Sequence, residues 1–449
     1  MKIVIVGAGN RGFQIARHLI EEHKEVVLVE PNPEVAAFAS SKLDCMVVNG
    51  SGNSLDILKE AGVDTADIFI SMTDSDESNM VACGLVTSEF KVPVKIASIR
   101  NLTYIGSKGL SGNILGIDYI VNPEAEAARS VFEVMEKGIF SEVFSFKKTD
   151  LLFHNILITD DSRFKNKHVK TIRRYMRKYN FLITTIHRQN DVFIPSGDTI
   201  ILEGDTLSVV SEDKGMDKIF RSLGKEKKKV KKAMIVGGSK TAWFLLKHFS
   251  PGERSRFTLV DMDSETCKRF AAQYPEMLVI KSDVTDEVLY EDEDVSSYDM
   301  ILTLTDNDEL NIITALYAKR LGVTRTLVLI KNNNNYVRLT PYLGIDSVIS
   351  VSRATVNSVL RFIRGAQFTT VQSMFDGKVE IYEFVLDGTS SLAGKKIREI
   401  NMKTRAIIAA VTRKGKNIIP SGETVLEAGD IVVVTAERSS VDYIQKLFS

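Results

Sequence analysis

The chain opens with the stretch Lys2-Ile-Val-Ile-Val-Gly7-Ala-Gly9-Asn10-Arg11-Gly12. This stretch predicts a buried strand, a tight glycine turn and the start of a helix. In such a turn Gly7 makes the bend, Gly9 lets the backbone approach a pyrophosphate, and Gly12 lets the helix pack close to the strand. The first N–H groups of the helix and its dipole then attract phosphate. We therefore expect a Rossmann-type nucleotide-binding unit.

An acidic residue follows the next predicted strand. The apolar run 26–29 ends on Glu30, about 20 residues after the turn, where a carboxylate accepts hydrogen bonds from ribose hydroxyls. An acid here also repels a 2′-phosphate and so favours NAD over NADP. A surface carboxylate at a strand end is the alternative interpretation.

Strands and helices alternate after Glu30. We expect helices over 34–41 and 76–89, and strands over 45–48, 67–71, 94–99 and 119–121. Because each parallel crossover needs a helix, the alternation predicts an α/β fold with a parallel sheet covered on both faces. From about residue 141 to 223 short strands and turns predict a small α+β subdomain.

The second half of the chain repeats the first at an offset of about 230 residues. Gly237 to Ala242 corresponds to the glycine turn, and Thr305 to Asn311 corresponds to Thr73 to Asn79. This order indicates a tandem duplication. The expected division is a Rossmann-like domain over 1–138, a small subdomain over 139–224, a basic linker over 225–232, a second Rossmann-like domain over 233–368 and a second small subdomain over 369–449.

Small and polar residues follow the third and fourth predicted strands. Asn49, Gly50 and Ser51 follow the third strand, where the fold brings the edge of an adenine ring. A tight turn is the alternative interpretation of these three residues. Thr73 and Asp74 follow the fourth strand, within reach of the second half of a cofactor.

Two arginines near the glycine turn are candidates for neutralising phosphate. Arg11 lies just inside the first predicted helix, after Asn10, and Arg100 ends the fifth strand. A guanidinium pairs bidentately with a phosphate, although each arginine can instead be a solvated end of its element. Asp76 stands where a helix N-cap is expected, and capping explains it without any ligand.

The second copy keeps part of this pattern. The residues retained are Gly237, Asp261, Thr305 and Asp306. Ser239, however, adds a side chain where the backbone should approach pyrophosphate. Ser282-Asp283 replaces Gly50-Ser51, and Lys331 replaces Arg100. We expect two unlike sites, the first able to hold a dinucleotide and the second weaker, altered or empty.

Composition and charge narrow the function classes. The 449 residues are 44% hydrophobic and 26% charged, as in globular α/β proteins with several domains. Lys plus Arg equals Asp plus Glu at 58 each, so no strong overall field attracts nucleic acid or anionic lipid. The basic stretch 163–178 carries eight Lys and Arg residues without an aromatic stacking platform. It is interpreted as a solvated face or a contact with a membrane partner.

The cysteines and apolar runs predict the compartment. Cys45, Cys83 and Cys267 lie far apart and lack metal-ligand spacing, which fits a reduced cytosol and predicts no metal site. The start of the chain has no signal-peptide features. Since no apolar run reaches about 18 residues, we do not expect a transmembrane helix.

Four features occur in order in both halves. They are the Gly-Ala-Gly-Asn-Arg-Gly turn, the run Val48-Asn-Gly-Ser-Gly52, the segment from Thr73 to Asn79, and the hairpin motif Pro-Ser-Gly-(Asp/Glu)-Thr, with their counterparts in the second half. On these motifs the chain resembles, over essentially its whole length, the TrkA family. Members of this family are cytosolic regulators of the Trk potassium uptake system and are built from tandem RCK units.

The resemblance implies a gating ring. In such a ring the Rossmann halves bind NAD(H), ATP or ADP, and the subunits form a homotetramer. The ring docks on the potassium-conducting Trk membrane subunit. The implied location is cytoplasmic, peripheral on the inner membrane, with membrane contact through that partner only and no nucleic acid. The bound nucleotide would act as a regulator, with a coupling of about 1–3 kcal/mol.

Two other functions are compatible with a Rossmann fingerprint. An NAD-dependent oxidoreductase is one of them, because the fold does not distinguish hydride transfer from sensing. The six histidines are scattered, however, and none joins a recognisable catalytic motif. The other is an assembly scaffold in which the nucleotide is structural. The interpretation favoured here is a regulator without enzymatic activity.

Overall fold

The computed structural model describes residues 1–105, 115–137, 143–145, 151–160, 162–176, 180–189, 191–212, 230–333, 335–363, 370–374, 378–388, 390–402 and 405–448. These residues form two compact units. One contains Met1–Phe132 and Lys231–Phe362, and the other contains Glu133–Val230 and Ile363–Ser449. Several predicted features lie outside the described residues. They are the boundaries at 138–139, 224–225 and 368–369, linker residues 225–229 and basic residues 177–178. The five-part division therefore stays a prediction.

The first Rossmann lobe is a parallel sheet with flanking helices. Its described strands are β1 (Lys2–Val6), β2 (Glu25–Glu30), β3 (Met46–Asn49), β4 (Ile68–Ser71), β5 (Val94–Ser98) and β6 (Tyr119–Val121). Its described helices are α1 (Asn10–Glu21), α2 (Pro33–Lys42), α3 (Leu55–Glu60), α4 (Asp76–Glu89), α5 (Leu102–Ile105) and α6 (Pro123–Lys137), with a 3-10 turn at Val63–Thr65. The sheet order β3-β2-β1-β4-β5-β6 is that of dinucleotide-binding folds.

The first small lobe is an antiparallel sheet with one described helix. Its described strands are β7 (Val143–Ser145), β8 (Leu151–Leu157), β9 (Phe181–Arg188), β10 (Asp191–Phe193) and β11 (Thr206–Glu212). The helix α7 spans Val169–Tyr175. The sheet order is β10-β9-β11-β8-β7.

The second Rossmann lobe repeats the first. Its described strands are β12 (Ala233–Val236), β13 (Phe257–Asp261), β14 (Leu278–Lys281), β15 (Met300–Thr303), β16 (Arg325–Ile330) and β17 (Ser347–Ser350), in the order β14-β13-β12-β15-β16-β17. Its described helices are α8 (Lys240–Lys247), α9 (Pro251–Arg254), α10 (Ser264–Gln273), α11 (Glu287–Asp292), α12 (Asp308–Arg320), α13 (Asn335–Leu339) and α14 (Val351–Ile363), with 3-10 turns at Val295–Ser297 and Thr340–Leu343.

The second small lobe repeats the first small lobe. Its described strands are β18 (Thr370–Met374), β19 (Val379–Val385), β20 (Ala406–Arg413), β21 (Lys416–Ile418) and β22 (Ile431–Glu437), in the order β18-β19-β22-β20-β21. Its described helix is α15 (Val441–Phe448), with 3-10 turns at Ile397–Glu399 and Arg438–Ser440. The predicted fold class is thus confirmed. Within the described residues, no helix is both long enough and apolar enough to cross a bilayer.

Burial explains the composition of the parallel strands. Ile3, Val4 and Ile5 of β1 are fully buried, as are Leu327 and Val328 of β16. Strands covered by helices on both faces need apolar side chains in both directions. This is why these strands are continuous apolar runs, without the alternation of a half-exposed strand.

Lobes of the same type pack together within each unit. In the first unit, Tyr119 of β6 stacks on Phe362 of α14 with ring centroids 4.3 Å apart, and it shares a 2.8 Å hydrogen bond with Ser358. In the second unit, Phe153 from the first small lobe and Ile381 from the second belong to one buried apolar cluster. Each unit therefore combines segments from both halves of the chain.

Both small lobes contain the same buried ion pair. Arg188 on β9 donates through Nε and Nη2 to the two carboxylate oxygens of Asp205, each at 2.8 Å. Arg413 on β20 forms the same pair with Asp430, again at 2.8 Å. Both aspartates are fully buried. A buried carboxylate held in this way depends on its guanidinium, because the charge would otherwise be uncompensated.

Replacing Arg413 by Met should therefore destabilise the protein by about 3–5 kcal/mol, since Asp430 loses its counter-charge. The thermal unfolding midpoint, followed by circular dichroism, should fall. The control is Arg398→Met in the same lobe, whose ion pair with Glu423 is exposed and should be worth no more than about 1 kcal/mol. Equal losses in the two variants would contradict this role of Arg413.

Candidate nucleotide-binding site

The glycine turn after β1 has the predicted geometry. Gly7 has a φ of +97°, which glycine adopts at little cost, and its N–H donates to the carbonyl of Val29 at 2.8 Å. A Cβ on Gly7 would lie 2.9 Å from the carbonyl oxygen of Met72. A Cβ on Gly12 would lie 1.9 Å from the carbonyl oxygen of Gly7. Gly12 is thus required for α1 to pack this close to the turn, and Gly7 is required for the turn to pack against the end of β4.

Gly9 differs from its two neighbours in the motif. A Cβ on Gly9 would have no atom within 4 Å, so the space beside its backbone is open. Gly9 is the N-cap residue of α1, and in the described part of the chain no side chain caps this helix. The uncapped N–H groups at a helix start are a suitable site for a phosphate.

Glu30 lies beside the turn, as predicted, and is almost fully buried. Its carboxylate accepts from the backbone N–H of Ala8 at 2.8 Å and from that of Asn32 at 3.0 Å. Each carboxylate oxygen has two lone-pair directions, so these bonds leave acceptor capacity for ribose hydroxyls. Glu30 therefore also holds the glycine turn in position, a task that its sequence pattern did not reveal.

The segment after β3 forms a tight turn against the same region. The side-chain amide of Asn49 donates to the carbonyls of Glu30 at 2.8 Å and Pro31 at 3.3 Å. A Cβ on Gly50 would lie 2.5 Å from Ile57, and the hydroxyl of Ser51 accepts from the N–H of Asn53 at 3.2 Å. These contacts give all three residues a structural task, and their contact with adenine stays a prediction.

Asp74 brings the two predicted arginines together. Its Oδ1 accepts from Nη2 of Arg11 at 3.0 Å and from Nη2 of Arg100 at 2.7 Å. Burial, followed by the positive charge of Arg100, lowers the pKa of Arg11, while Asp74 and Glu124 act in the opposite direction. The site thus contains two close, partly buried cations beside the glycine turn.

The N-cap prediction for Asp76 is wrong by one position. Ser75 has the extended backbone that a cap requires, and its hydroxyl accepts from the N–H of Ser78 at 3.0 Å. Asp76 is already the first residue of α4. Its carboxylate accepts instead from the backbone N–H groups of Arg100 at 2.9 Å and Asn101 at 2.7 Å, linking α4 to the loop after β5.

The second lobe has the same turn but a different helix start. Gly237 has a φ of +98°, and Asp261 accepts from the N–H of Gly238 at 2.6 Å, as Glu30 does from Ala8. Ser239, however, is the N-cap of α8, and its hydroxyl accepts from the N–H of Ala242 at 3.3 Å. The serine therefore occupies the helix end that Gly9 leaves open.

The charged groups of the second lobe are also rearranged. Lys331 pairs with Asp306, and buried Thr241 stands where the first lobe has Arg11. Asp283 accepts from the N–H of Thr285 at 2.9 Å, and this bond holds the pKa of Asp283 below its usual range. One cation thus replaces the arginine pair, and Asp283 stabilises its own loop.

Comparison with known proteins settles the family. Residues 3–123 and 233–351 match the TrkA-N domain, and residues 153–224 and 381–449 match the TrkA-C domain. The Trk system potassium uptake protein TrkA of Haemophilus influenzae is 30% identical, covering 100% of this chain and 98% of its own. The TrkA homolog 2 of Methanosarcina mazei is also 30% identical, covering 100% of both chains. The chain belongs to the TrkA family.

Solved structures agree with the fold of this TrkA family member. The GsuK RCK domain has a TM-score of 0.57 at 17% identity and covers 100% of this chain and 94% of its own. The GsuK channel bound to NAD has a TM-score of 0.58 at 17% identity and covers 100% of this chain and 78% of its own. At this identity the likeness establishes the architecture of the fold alone.

The repeat contains one structural position, beside the predicted site residues, that sequence reasoning missed. Asn79, fully buried on α4, accepts from the N–H and hydroxyl of Thr73 at 2.9 and 2.7 Å and donates to the carbonyl of Ser98 at 2.8 Å. Asn311 makes the equivalent bonds to Thr305. The same asparagine at the end of both motif copies was the available signal. It fixes the loops that carry Asp74 and Arg100.

Gly12 and Gly9 of the first turn should respond differently to an added methyl group. Gly12→Ala should destabilise the first Rossmann lobe by more than about 2 kcal/mol, because its Cβ meets backbone that must move. Gly9→Ala should change stability by less than about 1 kcal/mol, since its Cβ enters open space. Thermal unfolding of both variants measures this. A similar loss of stability in Gly9→Ala would mean that the space beside Gly9 is required for folding, which would contradict this prediction.

Proposed function

We propose that this chain is the nucleotide-sensing regulatory subunit of a Trk-type potassium uptake system. The observation that carries the proposal is the open, uncapped helix start at Gly9 in a chain that matches TrkA proteins over its whole length. The ligand in this proposal is NAD(H), ATP or ADP. The GsuK channel, which has the same fold and whose structure was solved bound to NAD, supports a nucleotide by analogy.

The first site has a suitable group for each part of a nucleotide. In our proposal the N–H groups from Gly9 to Gly12 hold the pyrophosphate, and Glu30 accepts from the ribose. The turn of Asn49, Gly50 and Ser51 borders the adenine. Thr73, Asp74 and the two arginines surround the far end of the ligand. The nucleotide would supply negative charge to a site whose two guanidinium groups are partly buried.

The second site is proposed to be weaker or altered. Ser239 uses its hydroxyl on its own helix end, which leaves the N-terminus of α8 already capped when a phosphate arrives. Thr241 also provides no positive charge. Asp261 is an acid that resembles Glu30 in its contact with the glycine turn. We therefore expect the second site to keep a ribose contact without a strong phosphate contact.

The nucleotide is proposed to act as a regulator in a ring of four subunits docked on the potassium-conducting Trk membrane subunit. The ring lies at the cytosolic face of the membrane and contacts the membrane through that partner. A ligand changes transport only if it binds one ring conformation more tightly than the other. In this proposal the protein is not an enzyme, and its domains are 1–138, 139–224, 233–368 and 369–449 around the linker 225–232.

Nucleotide binding should depend on Gly9. Saturation of the wild type with NADH or ADP at about 100 times the dissociation constant should stabilise it by roughly 2.7 kcal/mol, visible as a thermal shift. Gly9→Asp should abolish the shift, because a carboxylate then fills the phosphate position. The control is Gly252→Asp, where a Cβ also has no atom within 4 Å but which lies away from both glycine turns.

A second measurement, of potassium flux, tests the regulatory role. Potassium flux into vesicles that contain the membrane subunit and this protein should respond to the nucleotide with the wild type and not with Gly9→Asp. Turnover of NADH with any partner substrate would favour an enzyme. Binding without any effect on flux would favour a scaffold. A wild type that no nucleotide stabilises would contradict the proposal.

A further inference from the structure

The two arginines of the first site converge on one carboxylate oxygen. Arg11 reaches Oδ1 of Asp74 at 3.0 Å and Arg100 reaches the same atom at 2.7 Å. The side chains of the two arginines are 18% and 27% exposed, whereas that of Asp74 is 90% exposed. A solvent-exposed anion thus sits on two partly buried cations.

This arrangement compensates the charge and the hydrogen-bond donors of the two arginines only in part. The Nε–H of Arg100 is buried and has no hydrogen-bond acceptor among the described residues. Desolvation and the charge of Arg100 both oppose the charge of Arg11. Two guanidinium groups held this close favour an anion that can accept more bonds and bring more charge than one carboxylate oxygen does.

We propose that Asp74 is a built-in competitor for nucleotide phosphate. Its carboxylate takes the position between Arg11 and Arg100 that a phosphate of the ligand occupies, so that the ligand must displace it. Asp74 thereby lowers the affinity for nucleotides with a terminal phosphate and shifts selectivity towards dinucleotides. The inference rests on the proposed function of the first site.

The loop around Asp74 suits such a displacement. The N–H of Thr73 donates to Asn79 at 2.9 Å, and the N–H of Ser75 donates to the hydroxyl of Thr73 at 3.3 Å. The backbone on both sides of Asp74 is therefore held, while its side chain is exposed to solvent and is bound by the two arginines. An ion pair whose carboxylate is exposed to solvent stabilises only weakly, and a phosphate can accept more bonds from two guanidinium groups than one carboxylate oxygen does.

The charge of the phosphate explains the selectivity. A terminal phosphate carries between about 1.5 and 2 negative charges near pH 7, whereas each phosphate of NAD(H) has one ester and one anhydride bond and carries a single charge. Asp74 and Glu124 repel the more highly charged group more strongly. Removing the charge of Asp74 should therefore help ADP and ATP more than NADH.

In the described part of the second Rossmann lobe the arginine pair is absent, and so is the carboxylate shared between two cations. There, Asp306 pairs with Lys331, and Thr241 stands at the position of Arg11. A single lysine paired with a single aspartate is neutral and offers one point charge. Two guanidinium groups sharing one carboxylate occur only in the first lobe among these equivalent positions.

The test is isothermal titration of ADP, ATP and NADH into the full-length wild type, Asp74→Asn and Asp64→Asn. Asp74→Asn should bind ADP and ATP about 3- to 10-fold more tightly and NADH less than about 3-fold more tightly. Asp64→Asn removes the same charge from an exposed position before β4, at the opposite end of the strand, and should match the wild type. Thermal unfolding without ligand checks that all three proteins are folded.

The outcomes separate this inference from the proposed function. If the wild type binds nucleotide and Asp74→Asn binds ADP and ATP with unchanged or lower affinity, Asp74 is not a competitor. The inference is then overturned, while the proposed function stands. Equal tightening for all three ligands would overturn the selectivity. If the wild type binds no nucleotide, the proposed function fails and the inference fails with it.

Discussion

The close approach of α1 to the turn after β1 is the constraint on which the first site depends. It requires Gly12, because a Cβ there would lie 1.9 Å from the carbonyl oxygen of Gly7. It also requires the left-handed backbone of Gly7 and the carboxylate of Glu30, which holds the N–H of Ala8. With the turn fixed in this way, the start of α1 faces open space at Gly9, which is the arrangement that phosphate sites at helix N-termini use.

The two copies of the repeat agree in residues that hold the backbone and differ at the start of the helix that follows the glycine turn. Asn79 and Asn311 fix the loop after the fourth strand of each Rossmann sheet, and Asp205 and Asp430 anchor the small lobes. By contrast, Gly9 corresponds to Ser239. The two copies thus share a framework and differ at the helix start, where Ser239 caps α8 and no side chain caps α1 in the described part of the chain.

The fold was largely predictable, because periodic apolar runs and glycine spacing are local signals. The Rossmann strands, α4 at Asp76–Glu89 and the tandem repeat are found as expected. The contacts of Glu30 with Ala8 and of Asp74 with Arg100 join residues distant in sequence, and no local pattern encodes such partners. The cap at Ser75 instead of Asp76 depended on the backbone angles of a single residue, which a run of adjacent polar residues leaves ambiguous.

The pairing of like lobes within each compact unit has a consequence for how the two halves of the chain evolve. A polypeptide with a single repeat would have to find a second molecule to cover the apolar face that contains Phe153. Fusion makes this encounter intramolecular, at an effective concentration that reaches the millimolar range for short flexible linkers. The pairing is then independent of expression level. The two halves of the fused chain are also encoded separately. A substitution in one half is therefore not repeated in the other, as it would be in a symmetric dimer of single repeats.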